Sequence, residues 1–364
     1  MTTESVTTAG TRADEAGVAT TPVSHAHELT VVEVVDETDD AVSIALAVPD
    51  HLVSRFRYHP GQFLTIKIPT DRPGGAARCY SLSSSPHFEN DLIVTVKRTP
   101  GGYASNWLCD NARPGLSLTV MTPSGNFTPK SLDGDLLLVG AGSGITPLIS
   151  IAKSALVGGT ATVYLLYANR DRRSTIFGTE LHDMVTEFPT RFTVEHWFES
   201  DQGLPTAEGL MRSLELFSAY DAYLCGPAPF MEAARSALHG IGLPDAHVHV
   251  ERYRSLSGDP FADVIIPSDT SAETVSATVE LAGRRIELDW PRDTKLLDVL
   301  LSKGYDAPFS CREGECSACA CTVRSGEVSM LKNDTLVDAD LSLGLTLACQ
   351  SVPVSESVEI AFDQ

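Results

Sequence analysis

The 364-residue chain has no apolar run approaching the roughly 20 residues that span a bilayer, so a membrane-spanning helix is excluded. It is poor in basic side chains: 27 Lys and Arg stand against 48 Asp and Glu, a net charge of -21. That balance argues against nucleic acid and anionic membrane surfaces as partners, because both would be repelled. The opening stretch, "MTTESVTTAGTRADEAGVATTPVSHAHE", lacks the basic start and apolar core of a signal peptide. Rich in Thr, Ala and small polar residues, it has little to bury, and a flexible tail is expected over residues 1–26. No internal repeat is present. Cysteine is the residue that is not scarce. There are eight, and Cys311, Cys316, Cys319 and Cys321 fall within eleven positions. The chain reads as cytoplasmic, and in that reducing compartment clustered cysteines bind metal or do redox work rather than form disulfides.

Three rhythms follow one another. Over 27–130, short alternating strands ("HELTVVEVV", "AVSIALAVP", "QFLTIKIP", "RCYSLSSS", "DLIVTVKR", "LSLTVM") separated by Pro, Gly, Asp and Asn turns predict a small antiparallel barrel. In "QFLTIKI", Leu64, Ile66 and Ile68 take one face while Phe63, Thr65 and Lys67 take the other. Over 131–254, apolar strands alternate with amphipathic helices, from "DLLLVGAG" to "HVHVERY", and predict a parallel sheet covered on both faces. Residues 255–274, rich in Ser, Asp, Pro and Thr, read as a linker. The remaining segment, 275–364, opens on a hairpin ("TVELAGRRIELDW") followed by a helix ("TKLLDVLLSKG"). Asp293 or Thr294 is expected to cap that helix and Gly304 to stop it, with Leu297, Leu300 and Leu301 inward. The cysteine loop comes next.

Cys311, Cys316 and Cys319 have the spacing C-x4-C-x2-C, and Cys349 lies 30 residues beyond in "LACQS". This is the plant-type [2Fe–2S] ligand pattern. Thiolates are the soft donors such clusters prefer, and the small residues and Gly314 between them let backbone amides turn inward. A four-cysteine zinc site normally uses two C-x2-4-C knuckles; four structural thiols are the other competing reading. Cys321 reads by default as a small buried apolar residue.

From 275 to 364 the chain resembles a plant-type ferredoxin domain, which implies a β-grasp fold with the cluster near the surface. "RCYSLSSSP" resembles the R-x-Y-S motif of the ferredoxin-NADP reductase family. That resemblance implies that Arg78 pairs with a flavin phosphate and that Tyr80 stacks on the isoalloxazine. It also implies that Ser81 bonds near N5, where hydride arrives, and it brings Cys79 into the cofactor site. Thr95, Val96 and Lys97 match the strand that lines the flavin with its backbone. "GYAS" (Gly102, Tyr103, Ala104, Ser105) opens a helix whose N-terminus can take a pyrophosphate, which implies FAD rather than FMN.

"VGAGSGITP" follows an apolar strand and precedes a helix, a setting in which amides cradle a dinucleotide pyrophosphate. It departs from G-x-G-x-x-G, with Ile145 where the third glycine would stand, and it lacks the lysine of a P-loop. It resembles the reductase family's own nucleotide loop: Gly142 and Gly144 would face the cofactor, with Thr146 and Pro147 beside the nicotinamide. "LCGPAPFMEAAR" carries the family's C-G-P motif, implying that Cys225, Gly226 and Pro227 lie at the carboxyl edge of the sheet and that Cys225 stands against nicotinamide C4. In "ERY", Glu251 matches a family carboxylate near the flavin and Tyr253 an aromatic over its ring. Asn169 and Arg170, in "NRDRRS", follow the second strand, where the adenosine ribose is read; this charge run also reads as a solvated loop. His247 and His249 alternate and could pair on a metal, but no third ligand is evident, and structural histidines are expected.

Flavin, nicotinamide and ferredoxin segments in this order resemble reductase components of bacterial oxygenase systems across 27–364. The expected fold is multidomain: an antiparallel β-barrel for FAD, an α/β parallel-sheet unit for NADH and a β-grasp unit for the [2Fe–2S] cluster. The resemblance implies electron flow from NADH through FAD and the cluster to a Rieske-type terminal oxygenase hydroxylating a ring-intact steroid. Ser81, Cys225 and Glu251 would be the catalytic residues. Alternatives are an oxygenase acting on aromatic acyl-CoA, or a free-standing electron-transfer or redox-sensing module.

Overall fold

The computed structural model describes residues 25–70, 76–253, 255–262, 264 and 273–362. The first unit contains strands β1 (Ala26–Thr38), β2 (Ala41–Ala47), β3 (Phe63–Lys67), β4 (Ala77–Ser81), β5 (Leu92–Lys97) and β6 (Ser117–Met121), with helix α1 (Tyr103–Asn111) between the last two. All its pairings are antiparallel, in the order β4-β3-β6-β1-β2-β5. A bridge between Leu82 and Val94 joins the two end strands and closes the barrel. The alternation read in β3 holds on its inner face: Leu64, Ile66 and Ile68 are buried with Leu29, Val31, Ile44, Val94 and Val120. Each such side chain contributes about 1.5–3 kcal/mol on leaving water. The outer face is different. Thr65 is as buried as its neighbours, because another part of the chain covers it.

The second unit is a five-stranded parallel sheet, in the order β11-β10-β7-β8-β9. In chain order its elements are β7 (Leu136–Ala141), α2 (Ile145–Gly158), β8 (Val163–Asn169), α3 (Gly178–Glu187), β9 (Phe192–Phe198), α4 (Glu199–Gln202), α5 (Ala207–Leu214), β10 (Asp221–Cys225), α6 (Ala228–Gly240) and β11 (Val248–Glu251). Successive strand residues feed two separate cores, as the period of two requires. Leu136, Leu138, Leu165 and Tyr223 pack with α2 and α3, whereas Leu137, Val139, Leu166 and Leu224 pack with α5 and α6.

The third unit comprises β12 (Thr274–Leu281), β13 (Arg284–Pro291), α7 (Leu296–Ser302), β14 (Ala320–Ser325), β15 (Val328–Met330), α8 (Asp338–Ser342), β16 (Leu345–Leu347), β17 (Ser351–Pro353) and β18 (Ser357–Ala361). Its mixed sheet, β13-β12-β18-β14-β16, holds α7 against Trp290, Ile286 and Leu288 in the β-grasp manner. No helix among the described residues is long and apolar enough to cross a membrane.

Several expectations are corrected. The tail expected over 1–26 lies outside the described residues as far as 24, but Ala26 already begins β1. His25 meets Asp306 at 3.3 Å and the Phe309 ring at 4.8 Å. Lys295, not Asp293 or Thr294, is the residue before α7, because the Thr294 carbonyl accepts a bond from Trp290 Nε1 at 2.7 Å and the chain is still turning there. Leu296 and Val299 join Leu297 and Leu300 inside, whereas Leu301 is only partly buried. His247 ends a short 3-10 turn rather than lying on the strand; it bonds Asp221 at 2.8 Å, while His249 stacks on Tyr223. The middle of the expected linker, residues 265–272, lies outside the described residues. Its first part is packed: Leu256 is buried, and Ser257 and Gly258 donate backbone N–H groups to Glu313.

Candidate functional site

The loop between α7 and β14 carries Cys311, Cys316 and Cys319, and Cys349 arrives from the end of β16. Positive φ angles at Arg312 (59°), Gly314 (75°) and Ser317 (56°) turn successive amides toward the sulfurs. Glu313 N and Glu315 N donate to Cys311 Sγ at 3.3 and 3.5 Å. Cys311 N donates to Cys316 Sγ, and Cys349 N to Cys319 Sγ, both at 3.5 Å. The Gln350 side chain adds a fifth bond, to Cys349 Sγ at 3.5 Å. A side chain at position 314 would run into the Lys332 carbonyl and Gln350, so the turn requires glycine. Thiol hydrogen bonds from Cys316 and Cys349 hold Cys311 well below the ordinary thiol range, and the protons crowd onto those two partners, whose pKa values rise. Such a set gives up its protons to an incoming cation. Among the described residues no group of three or more His, Cys, Asp or Glu closes around a single ion. Two irons with two thiolates each make a different demand, and four converging sulfurs cradled by amides fit it. Cys321 is buried in the core, with Sγ 3.8 Å from the Thr346 carbonyl.

Strand β4 runs beside β3, with Ile66 opposite Arg78, Thr65 opposite Cys79 and Leu64 opposite Tyr80. Arg78 Nη1 donates to the carbonyls of Ala77 (2.6 Å) and Leu256 (3.3 Å). In "TVK", the side chains are already committed. Thr95 bonds Ser83 and Ser43, Val96 lies in the barrel core, and Lys97 is 3.7 Å from Asp40. Only backbone is left there for a ligand. Gly102 stands before α1, whose first turn has no side-chain cap and no acidic residue; Ala104 and Ser105 are buried beneath it, and Tyr103 reaches the Pro69 carbonyl at 2.7 Å. Uncapped amides at that end suit an anion.

At the carboxyl edge of the parallel sheet the nucleotide loop and the C-G-P loop meet backbone to backbone. A Cβ on Gly144 would collide with the Cys225 carbonyl and Gly226 N, whereas one on Gly142 would meet nothing within 4 Å. The first glycine closes the fold; the second leaves an open cradle. Pro227 precedes α6, and Pro147 lies in the first turn of α2. Thr146 Oγ1 donates to the Ser143 carbonyl (3.1 Å) and lies 2.8 Å from the Tyr253 hydroxyl, which Ser81 Oγ meets at 3.4 Å. Ser81 from the barrel, Thr146 from the parallel sheet and Tyr253 beyond β11 are therefore joined. Tyr253 is 46% exposed as a residue although its hydroxyl is held by Thr146 and Ser81, which suits an aromatic side chain offered to a flat ligand. Cys225 is fully buried, paired in register with Gly140 and Glu251. Burial pushes its thiol up, and burial alone pushes the Glu251 carboxyl up to about 7.

Asn169 ends β8 and is 7% exposed. The neighbouring Tyr167 hydroxyl is committed to the Gly142 carbonyl at 3.0 Å, and neither Asn169 amide atom finds a partner with hydrogen-bond geometry. A buried amide left unpaired costs about 1–3 kcal/mol, which a ligand would recover. Arg170 is turned to Asp40 at 3.1 Å.

Several residues here carried no motif. Thr65 Oγ1 lies 2.5 Å from Ser310 Oγ and 3.4 Å from Cys79 Sγ. Cys79, Ala77 and Leu256 pack with Cys311 and Cys316. The cysteine loop therefore sits on the flavin-type strand. Its partners lie up to 245 residues apart, a distance no local pattern spans. The one local signal is the polar Thr65 on the face of β3 that also carries Phe63 and Lys67.

Residues 28–128 match the oxidoreductase FAD-binding domain, 138–236 the oxidoreductase NAD-binding domain and 279–354 the 2Fe-2S iron-sulfur cluster binding domain. The chain is 55% identical to the 3-ketosteroid-9-alpha-monooxygenase, ferredoxin reductase component, of Mycolicibacterium smegmatis, over 94% of this chain and 98% of that one. It is 35% identical to one of the polypeptides of the 1,2-phenylacetyl-CoA epoxidase of Escherichia coli, over 93% and 98%. It shares the fold of phthalate dioxygenase reductase, with a TM-score of 0.55 at 24% identity, over 93% of this chain and 98% of that one. The amide-lined cysteine cage, the uncapped α1 and the open Gly142 loop accommodate the three cofactors that these matches name. The chain belongs to the family of ferredoxin reductase components of 3-ketosteroid-9-alpha-monooxygenase, with FAD, NAD and [2Fe–2S] domains in one polypeptide.

Proposed function

We propose that the chain takes hydride from NADH and delivers single electrons to a Rieske-type terminal oxygenase that hydroxylates a ring-intact 3-ketosteroid, in the cytoplasm. The observation that carries this reading is the seam at Thr65, Cys79 and Ser310, which seats the cysteine loop on the strand of the R-x-Y-S motif. Bound FAD and the cluster supply the conversion of a two-electron donor into one-electron steps. Arg78 would hold a flavin phosphate, and the first-turn amides after Gly102 the pyrophosphate. Tyr80 and Tyr253 would bracket the ring, and Ser81 would hold N5 from the barrel side. Thr146, Pro147 and Cys225 would seat the nicotinamide, and Glu251, its carboxyl pushed up by burial to about 7, would lie near the flavin, able to hold or release a proton near neutrality. Cys311, Cys316, Cys319 and Cys349 would ligate the cluster. All eight cysteines are free, as a reducing compartment requires.

The preference for NADH rests on the family resemblance. The arginines after β8 could accept a 2′-phosphate, but Arg170 and Arg172 already face acids. Arg170 pairs with Asp40 at 3.1 Å, Arg172 lies 3.7 Å from Asp201 and over the Phe198 ring, and Arg173 lines one pocket with Asp36, Glu37 and Asp39. Reconstitution tests both statements. With a 3-ketosteroid oxygenase the chain is expected to support steroid hydroxylation, with kcat/KM for NADH at least tenfold above that for NADPH (about 1.4 kcal/mol). A tenfold preference for NADPH would overturn the cofactor assignment. Turnover with a phenylacetyl-CoA oxygenase and none with the steroid enzyme would replace the steroid by the acyl-CoA reading.

A further inference from the structure

Helix α2 begins at the nucleotide loop, with Ile145, Thr146 and Pro147, and is buried along nearly its whole length. Its apolar side chains, among them Leu148, Ile149, Ile151 and Ala152, enter the core beneath the parallel sheet. A second stripe is polar although equally buried: Ser150, Lys153 and Ser154, at helical spacing, face the barrel. Ser150 Oγ donates to the Ser84 carbonyl at 2.6 Å, and Ser154 Oγ lies 2.8 Å from Ser85 Oγ. Between them Lys153 Nζ reaches the Ser83 carbonyl at 3.3 Å, Glu89 at 2.6 Å and Glu180 at 2.7 Å. Glu89 is fixed in turn, by the Ser85 backbone N–H at 2.7 Å. Burial works against the ammonium charge, but Glu180 and Glu89 outweigh it and hold Lys153 above the ordinary lysine range. At the other end of α2, Arg191 donates to the carbonyls of Ala155, Leu156 and Gly159. The helix can neither slide nor rotate without breaking these bonds.

We propose that Lys153 is a positioning residue for hydride transfer: it clamps α2 onto Ser83–Ser85, the direct continuation of the Ser81 strand, and so sets the approach of nicotinamide to flavin. The helix is a rigid arm, with Thr146 seven residues, about 10 Å, from the clamp. Donor and acceptor sit on different units, so a small rotation of one on the other changes the transfer distance directly. Positional errors of about 1 Å are enough to cost orders of magnitude in rate. The buried charge matters because an ion-paired ammonium accepts few geometries, whereas an apolar contact in its place would let the units slip. The inference rests on the reading that Ser81 and Thr146 flank the two reacting rings.

The test uses the FAD-loaded chain carrying Lys153→Met, Glu89→Gln and Glu180→Gln together, which removes the ammonium and both of its carboxylate partners at once. Flavin bleaching after rapid mixing with saturating NADH is expected to slow about tenfold, while the NADH concentration for half-saturation moves less than twofold. The isotope effect with NADH deuterated at the transferred position should rise. Amide hydrogen exchange at 83–85 and 150–154 should quicken in the same protein. Lys153→Arg, which keeps the charge, should recover most of the rate. A folded, FAD-replete triple variant that bleaches at the wild-type rate with an unchanged isotope effect would overturn the proposal. Should the triple variant not fold, Ser150→Ala with Ser154→Ala is read by the same mixing experiment, and there too an unchanged rate overturns it. If the wild-type flavin is not bleached by NADH at all, the functional reading fails instead. Exchange at the clamp then shows independently whether these residues hold the two units together.

Discussion

Replacing Cys349 by serine is expected to abolish the cluster and to cut electron delivery to the oxygenase at least a hundredfold, with NADH-driven reduction of two-electron dyes left within twofold of wild type. The position offers iron a soft sulfur that the Cys349–Cys319 and Gln350–Cys349 bonds hold in place. Serine oxygen is a harder and poorer donor. Gln350 also bonds the Arg312 carbonyl at 3.0 Å, so the loss loosens the opposite side of the cage as well. Dye reduction needs only the barrel and the parallel sheet, whose contacts do not pass through Cys349. Cys321→Ser is the control. Cys321 is 2% exposed in the apolar core, opposite Thr346 on the neighbouring strand. A serine hydroxyl there keeps a carbonyl to donate to, and a cost of about 1 kcal/mol in stability is expected, with the cluster spectrum unchanged. Absorbance and iron content of the two variants, read beside dye and oxygenase turnover, decide the matter. Bleaching in Cys321→Ser together with an intact cluster in Cys319→Ser would show that the ligand set is wrong.

Arg78→Leu is expected to weaken FAD binding about a hundredfold, and Arg78→Lys about tenfold. A guanidinium gives a phosphate two parallel charge-assisted bonds, each worth roughly 1.5–3 kcal/mol, whereas lysine offers a single point charge. The side chain leaves β4 opposite Ile66 and is already held by the Ala77 and Leu256 carbonyls. That second bond allows a rival role, a tie between the barrel and the start of the linker. The two are separable. Loss of a tie alone would leave the FAD dissociation constant untouched and speed proteolysis around 255–262, while loss of a phosphate ligand lowers FAD content on purification. A leucine variant that keeps stoichiometric FAD with wild-type affinity would contradict the assignment.

What the sequence made legible was what short-range chemistry encodes. Alternation in β3 marked an inner face that proves buried, and the cysteine spacing marked a loop whose amides do point at sulfur. What it left dark is long-range. Thr65 reads as an outward residue, and only the arrival of Ser310 buries it. Lys153 reads as one charged position on a helix, and its meaning appears only with Glu89 and Ser83 from the barrel and Glu180 from α3. His25 belongs by composition to a polar tail, yet it is pinned by Asp306 and Phe309. At the start of α7 the local signal misled, because a tertiary bond from Trp290 took the Thr294 carbonyl and moved the helix start past the expected caps. Even Cys79, the variable position of its motif, gains a neighbourhood that no pattern predicts: burial pushes its thiol up to about 12, with Cys311 close by.

The central claim is that hydride would enter at the Ser81–Tyr253–Thr146 junction, and that its two electrons would leave one at a time through the cysteine cage while its proton goes to solvent. Anaerobic titration with NADH, followed by flavin absorbance and by the paramagnetic signal of the reduced cluster in one sample, tests it most directly. The flavin holds two electrons and the cluster one, so both signals are expected to saturate together near about 1.5 equivalents of NADH per chain. The Cys349→Ser protein should saturate near about 1 equivalent, with no paramagnetic cluster signal. A wild-type flavin that bleaches completely while the cluster stays oxidised would contradict the account.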